Sequence, residues 1–347
     1  MFLKNRWYAA ALSDELGDRP LARTLLDEPV VLYRAADGRA VALEDRCCHR
    51  QAPLSLGVVV GNDLRCGYHG LTFDPAGTCV RVPNQTRVPP GAGVRSYPTI
   101  ERFGLAFVWM GAPALADPVT CYDFPYGAQP GWRAIFAKFY ARCDFRLLVD
   151  NLMDLSHLEF AHATTIGAAG VAENADLRNE RVGENVRVIR WMHDIPPAPA
   201  HVQATGKAVN VDRWQEIEYT PPGNVWLHVG SAIAGTGVRE GRRDGVILDR
   251  HSLHLVTPET ATTTHYFWTS AHDGAQVNRD QEQVLLEQSI KAFNEDLTII
   301  EGQQKRLNGA PFTDINADAG VLQVRRLYDR LLADEAARAA APGRRAG

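Results

Sequence analysis

Cys47-Cys48-His49 and Cys66-Gly67-Tyr68-His69 are the two stretches that decide the fold of this chain, and sixteen residues separate them. Each places one thiolate and one imidazole on a short loop. Two such loops facing each other supply two sulfur and two nitrogen ligands to a single site. A Rieske [2Fe–2S] centre needs that set, with two cysteines on one iron and two histidines on the other. Neutral imidazole in place of anionic thiolate lowers the negative charge around a cluster and raises its potential. A Cys₂His₂ zinc site is the competing reading of the same residues. Zinc modules usually pair like with like, whereas both loops here are mixed.

Working outward, residues 1 to about 115 read as short strands. Pro29–Arg34 and Ala40–Glu44 flank Ala35-Ala36-Asp37-Gly38, a hairpin signal. Asp74-Pro75-Ala76-Gly77 is a turn between the second ligand loop and Thr78–Val82, and Leu105–Met110 reads as a buried strand. Ligand loops at the tips of β-hairpins fit this pattern. A Pro-rich passage from Ala112 to Pro130 marks a boundary. Beyond it, strands over Val186–Trp191, Asp212–Tyr219, Val225–Val229, Val246–Val256 and Thr262–Ser270 accompany helices near 146–162 and 279–307. The reading is an α+β chain: an all-β domain over 1–115, a domain of antiparallel sheet with helices over 116–335, and a frayed Ala/Arg-rich tail over 336–347.

The segment from Arg146 to His162 suggests a second metal site. With Asp154 set at 0° on a helix, Leu147, Leu158 and Ala161 fall within about 40°, so this face looks inward. Asn151 and His157 share the face at about 60° on either side, and buried polar groups are costly unless paired or bound to metal. His162 lies about 140° from His157, so a straight helix splays the two histidines. They meet one ion only if a π-bulge or the helix end turns His162 inward. In the later helix Leu286, Ile290, Phe293, Leu297 and Ile300 form an apolar stripe. Glu295 points about 160° away from Phe293 and Asp296 only about 60°, so Asp296 is the acid that borders the core. Two histidines and a carboxylate form the facial triad of non-haem Fe(II) oxygenases, with Asp154 available to accept a ring N–H. Satisfied core histidines are the plainer reading of the same spacing.

Bulk properties narrow the classes. The 347 residues are 45% hydrophobic and 22% charged, and the net charge of −4 gives no basic field for nucleic acid or an anionic membrane. Six cysteines suggest no disulfide framework in a chain this long, so Cys48, Cys79, Cys121 and Cys143 read as reduced thiols. Lys4 and Arg6 interrupt the start of the chain, which lacks the apolar core of a signal peptide, and no run approaches the ~18 apolar residues of a membrane span. A cytoplasmic, reducing location is expected.

With both sites in view, the chain resembles the oxygenase component of the Rieske non-haem iron oxygenases along nearly its whole length. The motifs that carry the resemblance are Cys47-x-His49, Cys66-Gly-Tyr-His69-Gly-Leu71, Asp150-Asn151-Leu-Met-Asp154-Leu-Ser-His157 through His162, and Asn294-Glu-Asp296 followed by Glu301-Gly-Gln-Gln304. Asn5-x-Trp7-Tyr8, Ala52–Gly57, Val211–Gln215 and Thr257-Pro-Glu259 resemble the vanillate O-demethylase branch, beside dicamba O-demethylase and toluenesulfonate methyl-monooxygenase. The resemblance implies a Rieske domain followed by a helix-grip catalytic domain. It implies that Cys47 and Cys66 ligate one cluster iron and His49 and His69 the other. It also implies that His157, His162 and Asp296 hold a mononuclear Fe(II). Asp154 then bridges a ligand histidine of its own subunit to a Rieske histidine of a neighbour, in a head-to-tail homotrimer. Electrons would come from a separate NAD(P)H-dependent reductase carrying flavin and a [2Fe–2S] cluster. Cys48 stands where the family usually has proline.

The implied reaction is O-demethylation of a methoxylated aromatic acid such as vanillate, with O₂ as co-substrate and formaldehyde as product. Aryl-methyl or ring hydroxylation and N-demethylation use the same metals and stay open. A pure Rieske electron carrier and a zinc-dependent binding module are the readings from other classes. Among pocket candidates His254 and Trp268 lead, with His228, His251 and His265 behind them. No arginine stands out as a carboxylate anchor, and a structural ion pair accounts equally well for Arg213.

Overall fold

The computed structural model describes residues 1–340 and divides into two compact units, Met1–Asp123 with Thr257–Ala261, and Phe124–Val256 with the remainder of the chain. The first unit contains three small antiparallel sheets. Its strand Glu28–Arg34 shows how alternation builds two cores. Val31 and Tyr33, with Val41 and Leu43 on the next strand, face a cluster containing Leu54, Leu64, Phe73, Cys47 and Cys66. Val30, Leu32 and Ala42 face the opposite way, onto Tyr8, Ala10, Tyr97 and Val108. Successive strand side chains point to opposite faces, so one hairpin serves both cores. The hairpin turns at Gly38, whose φ of 87° suits a residue without Cβ. Trp7 Nε1 donates to the Asp117 carbonyl and Arg102 to those of Pro118 and Cys121, which holds this passage in the first unit beyond residue 115.

The second unit is one seven-stranded antiparallel sheet with helices. Its strands are β1 (Trp132–Ala141), β2 (Ala175–Val182), β3 (Asn185–Ile195), β4 (Val211–Thr220), β5 (Asn224–Ile233), β6 (Val246–Thr260) and β7 (Thr263–Asp273). Strands β2 to β7 follow one another across the sheet, and β1 pairs beyond β7. The helices are α1 (Phe145–Met153), α2 (Leu158–Ala161), α3 (Pro199–Thr205), α4 (Arg279–Gln304) and α5 (Ala319–Ala340). Ala204 of α3 and Leu285 of α4 pack on Leu248 of β6, and Phe293 of α4 packs on Ile135 of β1 and Trp268 of β7. Helices α3 and α4 therefore cover one face of the sheet.

Three local expectations change. The helix expected over 146–162 breaks at Asp154, where the backbone is extended at φ −124°, ψ 102°. The buried line of α4 runs through Leu285, Ser289, Ala292, Phe293, Asp296 and Ile300, leaving Leu286, Ile290 and Leu297 at its margin. Asp296 thus lies in the line rather than beside it. The tail expected from 336 is helical as far as Ala340, because Glu335-Ala-Ala-Arg-Ala-Ala340 is a run of strong helix formers. The rest of that tail, 341–347, lies outside the described residues. No described helix is long and apolar enough to cross a membrane.

Candidate metal centres

The two cysteine–histidine loops are built alike. Cys47 N–H donates to the Ala52 carbonyl and Gln51 N–H to that of Cys47; Cys66 N–H donates to Leu71 and Gly70 N–H to Cys66. The fifth residue of each loop has positive φ, 58° at Gln51 and 75° at Gly70. Glycine adopts this freely, and glutamine only because the paired bonds hold it there. Cys47 and Cys66 are buried at 2% and 3% exposure, whereas His49 and His69 are exposed with ring centroids 4.6 Å apart. Tyr68 N–H approaches Cys66 Sγ at 3.5 Å. Burial pushes the Cys47 thiol up to about 11. Two buried thiols, that of Cys47 hard to ionise when alone, packed beneath two accessible imidazoles, suit a cluster that supplies compensating positive charge. Cys48 is exposed beside them, and all six cysteines are free thiols.

The second centre depends on the break at Asp154. Its carboxylate ends α1 and starts the next turn by accepting from Ser156 N–H and Oγ–H, both at 2.9 Å. That turn swings His157 round so that Nδ1 lies 2.7 Å from the Asp154 carbonyl. A carbonyl only accepts, so the proton sits on Nδ1 and Nε2 keeps its lone pair. His162 ends α2 and points its Nδ1 at Glu295 Oε2, 2.8 Å away, which fixes the same tautomer. Asp296 Oδ1 lies 3.4 Å from His157 Nε2 and 3.0 Å from His162 Nε2, and the latter atom is buried with no hydrogen bond. Asn151 Nδ2 donates to Asp296 Oδ1 at 3.1 Å and lies 3.3 Å from His157 Nε2. Burial acts to raise the Asp296 pKa, but attraction to the imidazoles of His157 and His162 outweighs it and brings it to about 2. One ring nitrogen of each histidine and one carboxylate oxygen lie within 4.8 Å of one another, an arrangement that could hold a metal ion.

Glu301 and Gln304 on α4 accept from the Arg142 and Asp144 amides at 3.0 and 2.8 Å, and so hold the entry to α1. A cleft lined by Asn151, Asp154, His157, Ile299, Gln303 and Asp318 gives access to the His157 side.

Two expectations are corrected here. Asp154 contacts its own histidine through the backbone carbonyl rather than the carboxylate, which instead has Arg190 Nη1 3.5 Å away. Glu295 faces the site, because the chain after α2 carries His162 against the flank of α4. Reading α4 by its apolar stripe missed it; the acidic pair Glu295-Asp296 was the available signal. The pocket candidates divide by strand parity. His254 and Trp268 lie on the face covered by α4: His254 Nδ1 is 2.5 Å from Tyr266 Oη, and both rings pack edge-on against Phe293. His228 and His251 lie on the opposite face, stacked on each other and on Tyr126 or Trp226. His265 neighbours Tyr140.

Comparison with known proteins agrees with this geometry. Residues 6–98 match the Rieske [2Fe–2S] domain, and residues 141–334 match the vanillate O-demethylase oxygenase C-terminal domain. The toluene-4-sulfonate monooxygenase system iron-sulfur subunit TsaM1 of Comamonas testosteroni is 39% identical, over 96% of this chain and 98% of its own. The vanillate O-demethylase oxygenase subunit of Pseudomonas sp. strain HR199 is 38% identical, over 96% of each chain. Dicamba monooxygenase bound to 3,6-dichlorosalicylic acid superposes with a TM-score of 0.91 at 32% identity, covering 97% of this chain and 99% of that one. Paired mixed loops in one unit and a sheet-and-helix oxygenase domain in the other leave one conclusion: the chain belongs to the vanillate O-demethylase oxygenase family, as the oxygenase component of a Rieske-type monooxygenase.

Proposed function

We propose that this oxygenase O-demethylates a methoxylated aromatic acid of the vanillate type and releases formaldehyde, taking electrons from a separate NAD(P)H-dependent flavin/[2Fe–2S] reductase. The carrying observation is the His157, His162 and Asp296 set, whose two Nε2 atoms face one carboxylate while both Nδ1 protons are tied elsewhere. An isolated electron carrier has no use for it. A bound Rieske cluster would supply single electrons and a bound mononuclear iron the activation of O₂; in the net reaction one oxygen atom would hydroxylate the methoxy carbon, giving phenol and formaldehyde through the hemiacetal, and the other would leave as water.

The chain's own residues do the positioning. Cys47 and Cys66 would hold one cluster iron, and His49 and His69 the other. His157, His162 and Asp296 would hold the mononuclear iron, as a facial triad that leaves coordination positions for O₂ and substrate. The Asp154 carbonyl and Glu295 keep both ligand histidines in the metal-binding tautomer, and Asn151 steadies Asp296. The Asp154 carboxylate, bordering the cleft beside His157, links this site to a Rieske histidine of a neighbouring subunit in a head-to-tail trimer. If Tyr266 donates to His254 Nδ1, His254 Nε2–H is left as a donor toward substrate, with Trp268 as an aromatic wall. A cytoplasmic setting suits the free thiols.

Identity to a toluene-4-sulfonate monooxygenase subunit favours aryl-methyl hydroxylation as the second reading. Oxygen uptake and formaldehyde release with vanillate, NADH, iron-loaded protein and reductase decide between them. Formaldehyde in step with oxygen supports demethylation. Oxygen uptake without formaldehyde from vanillate, with alcohol formed from toluene-4-sulfonate, replaces it by methyl hydroxylation. Two irons per chain instead of three refute both readings in favour of an electron carrier.

A further inference from the structure

The sheet face beneath α3 and α4 carries cationic charge that the chain does not neutralise. Cross-strand register aligns Arg190, Gln215, Val229 and Arg250 in one row across β3 to β6, and Met192, Arg213, Ser231 and Leu248 in the next. Leu248 packs against both helices, so the two rows lie under them. Arg190 has an acidic neighbour in Asp154 and donates to the Val171 carbonyl. Arg213 donates only to the Ile166 carbonyl, at 3.0 Å, and its Nε and Nη1 have no partner. Arg250 Nε is buried without a partner, and among the described residues no carboxylate lies within ion-pair reach of Arg213 or Arg250. Both amide atoms of Gln215, Ser231 Oγ and, from α3, His201 Nδ1 are buried and unpartnered on the same side.

Burial brings both arginines down to about 10, so they remain charged at neutral pH, and Arg250 adds to the lowering at Arg213 by repulsion. Arg213 is 4% exposed, and Arg250 is half-buried. Two buried cations without a counter-ion, ringed by unsatisfied polar atoms, are stable only if something else supplies negative charge. A guanidinium fork matches a planar or tetrahedral oxyanion in bidentate fashion.

We propose that Arg250, backed by Arg213, anchors the oxyanion of the aromatic substrate, a ring carboxylate or sulfonate, on the sheet face that α3 and α4 cover. The assignment rests on the oxygenase reading above and adds the group that selects acids over neutral arenes. His254, four residues along β6 and on the same sheet face, feels the charges of both Arg250 and Asp296, which sets the arginine on the same side of the sheet as the metal set.

The test is calorimetric binding to the holoprotein of two matched pairs: vanillate against guaiacol, and toluene-4-sulfonate against toluene-4-sulfonamide. Losing one partner of a buried charge pair weakens binding by at least about 30-fold. Wild-type protein is expected to prefer the acid of at least one pair by that factor, and which acid binds tells carboxylate from sulfonate. Arg250→Leu should erase the preference without altering affinity for the neutral analogue, and Arg250→Lys should restore part of it. Equal wild-type affinity within both pairs, no binding of either acid, or undiminished acid binding by Arg250→Leu overturns the proposal. The wild-type comparison stands even if the variant fails to fold. Formaldehyde from guaiacol as fast as from vanillate would overturn the anchor and spare the demethylase reading. Acid-selective binding without oxidation of the bound acid would do the reverse.

Discussion

Glu295→Ala tests whether tautomer control builds the mononuclear site. The His162 side chain is fully buried, and its Nδ1–H has one acceptor, Glu295 Oε2 at 2.8 Å. Removing that acceptor strands a buried N–H, at a cost of about 1–3 kcal/mol. His162 can escape by moving the proton to Nε2, where Asp296 Oδ1 waits 3.0 Å away. The same move consumes the lone pair a metal needs. Iron must then displace a hydrogen bond to a charged group, about 1.5–3 kcal/mol, which is roughly a 10- to 150-fold loss of affinity. This agrees with the 10- to 100-fold typical when a group behind a ligand histidine is removed. The assay is anaerobic competition for Fe(II) against a chelator, with the Rieske electron paramagnetic resonance signal as an internal control. We expect weaker mononuclear iron binding with an unchanged cluster signal, and a smaller loss in Glu295→Gln, whose amide oxygen still accepts. Wild-type iron affinity in Glu295→Ala would refute the reasoning.

Other perturbations read other links. Asp154→Asn, whose amide oxygen can still cap Ser156, should leave three irons per chain yet abolish coupled turnover; normal formaldehyde release in that variant removes the Asp154 charge from the electron route. Gly67→Ala puts a Cβ 2.6 Å from the Leu56 carbonyl oxygen, so the second ligand loop must shift, and cluster absorbance should drop while far-UV circular dichroism is kept. A fully absorbing Gly67→Ala protein would show that the loop tolerates the movement. His228 contributes to pH dependence: burial opposes its charge, but Asp249 Oδ1 at 2.7 Å and Glu216 Oε2 at 3.6 Å prevail and raise it from 6.5 to about 9. A raised folded-state pKa means its stabilisation is complete below pH 6.5 and lost on rising through 9, on the order of 3 kcal/mol in all. Melting temperature scanned over that window should fall for wild type and fall less for His228→Gln; parallel curves would assign the decline to other groups.

The residues gathered at both candidate centres were legible in the sequence because residue type and short spacing mark them. Cys47, His49, Cys66 and His69 sit on loops short enough for local bonds to aim them, and the strands around them follow from alternation at Val30–Tyr33 and Val41–Leu43. The obstacle at His157 and His162 was legible too, since a straight helix sets them about 140° apart. Its resolution came from a capping event: the Asp154 carboxylate finds Ser156, ends α1, and turns both imidazoles onto Asp296. Helical periodicity assumes a continuous helix and carries no term for such a cap. Glu295 behind His162 and the unneutralised Arg213 and Arg250 needed more still. Each is defined by what lies across from it on an element distant in the chain, and for the arginines by the absence of an acid within reach. A linear sequence records which charges exist; only the folded sheet decides which of them find a partner.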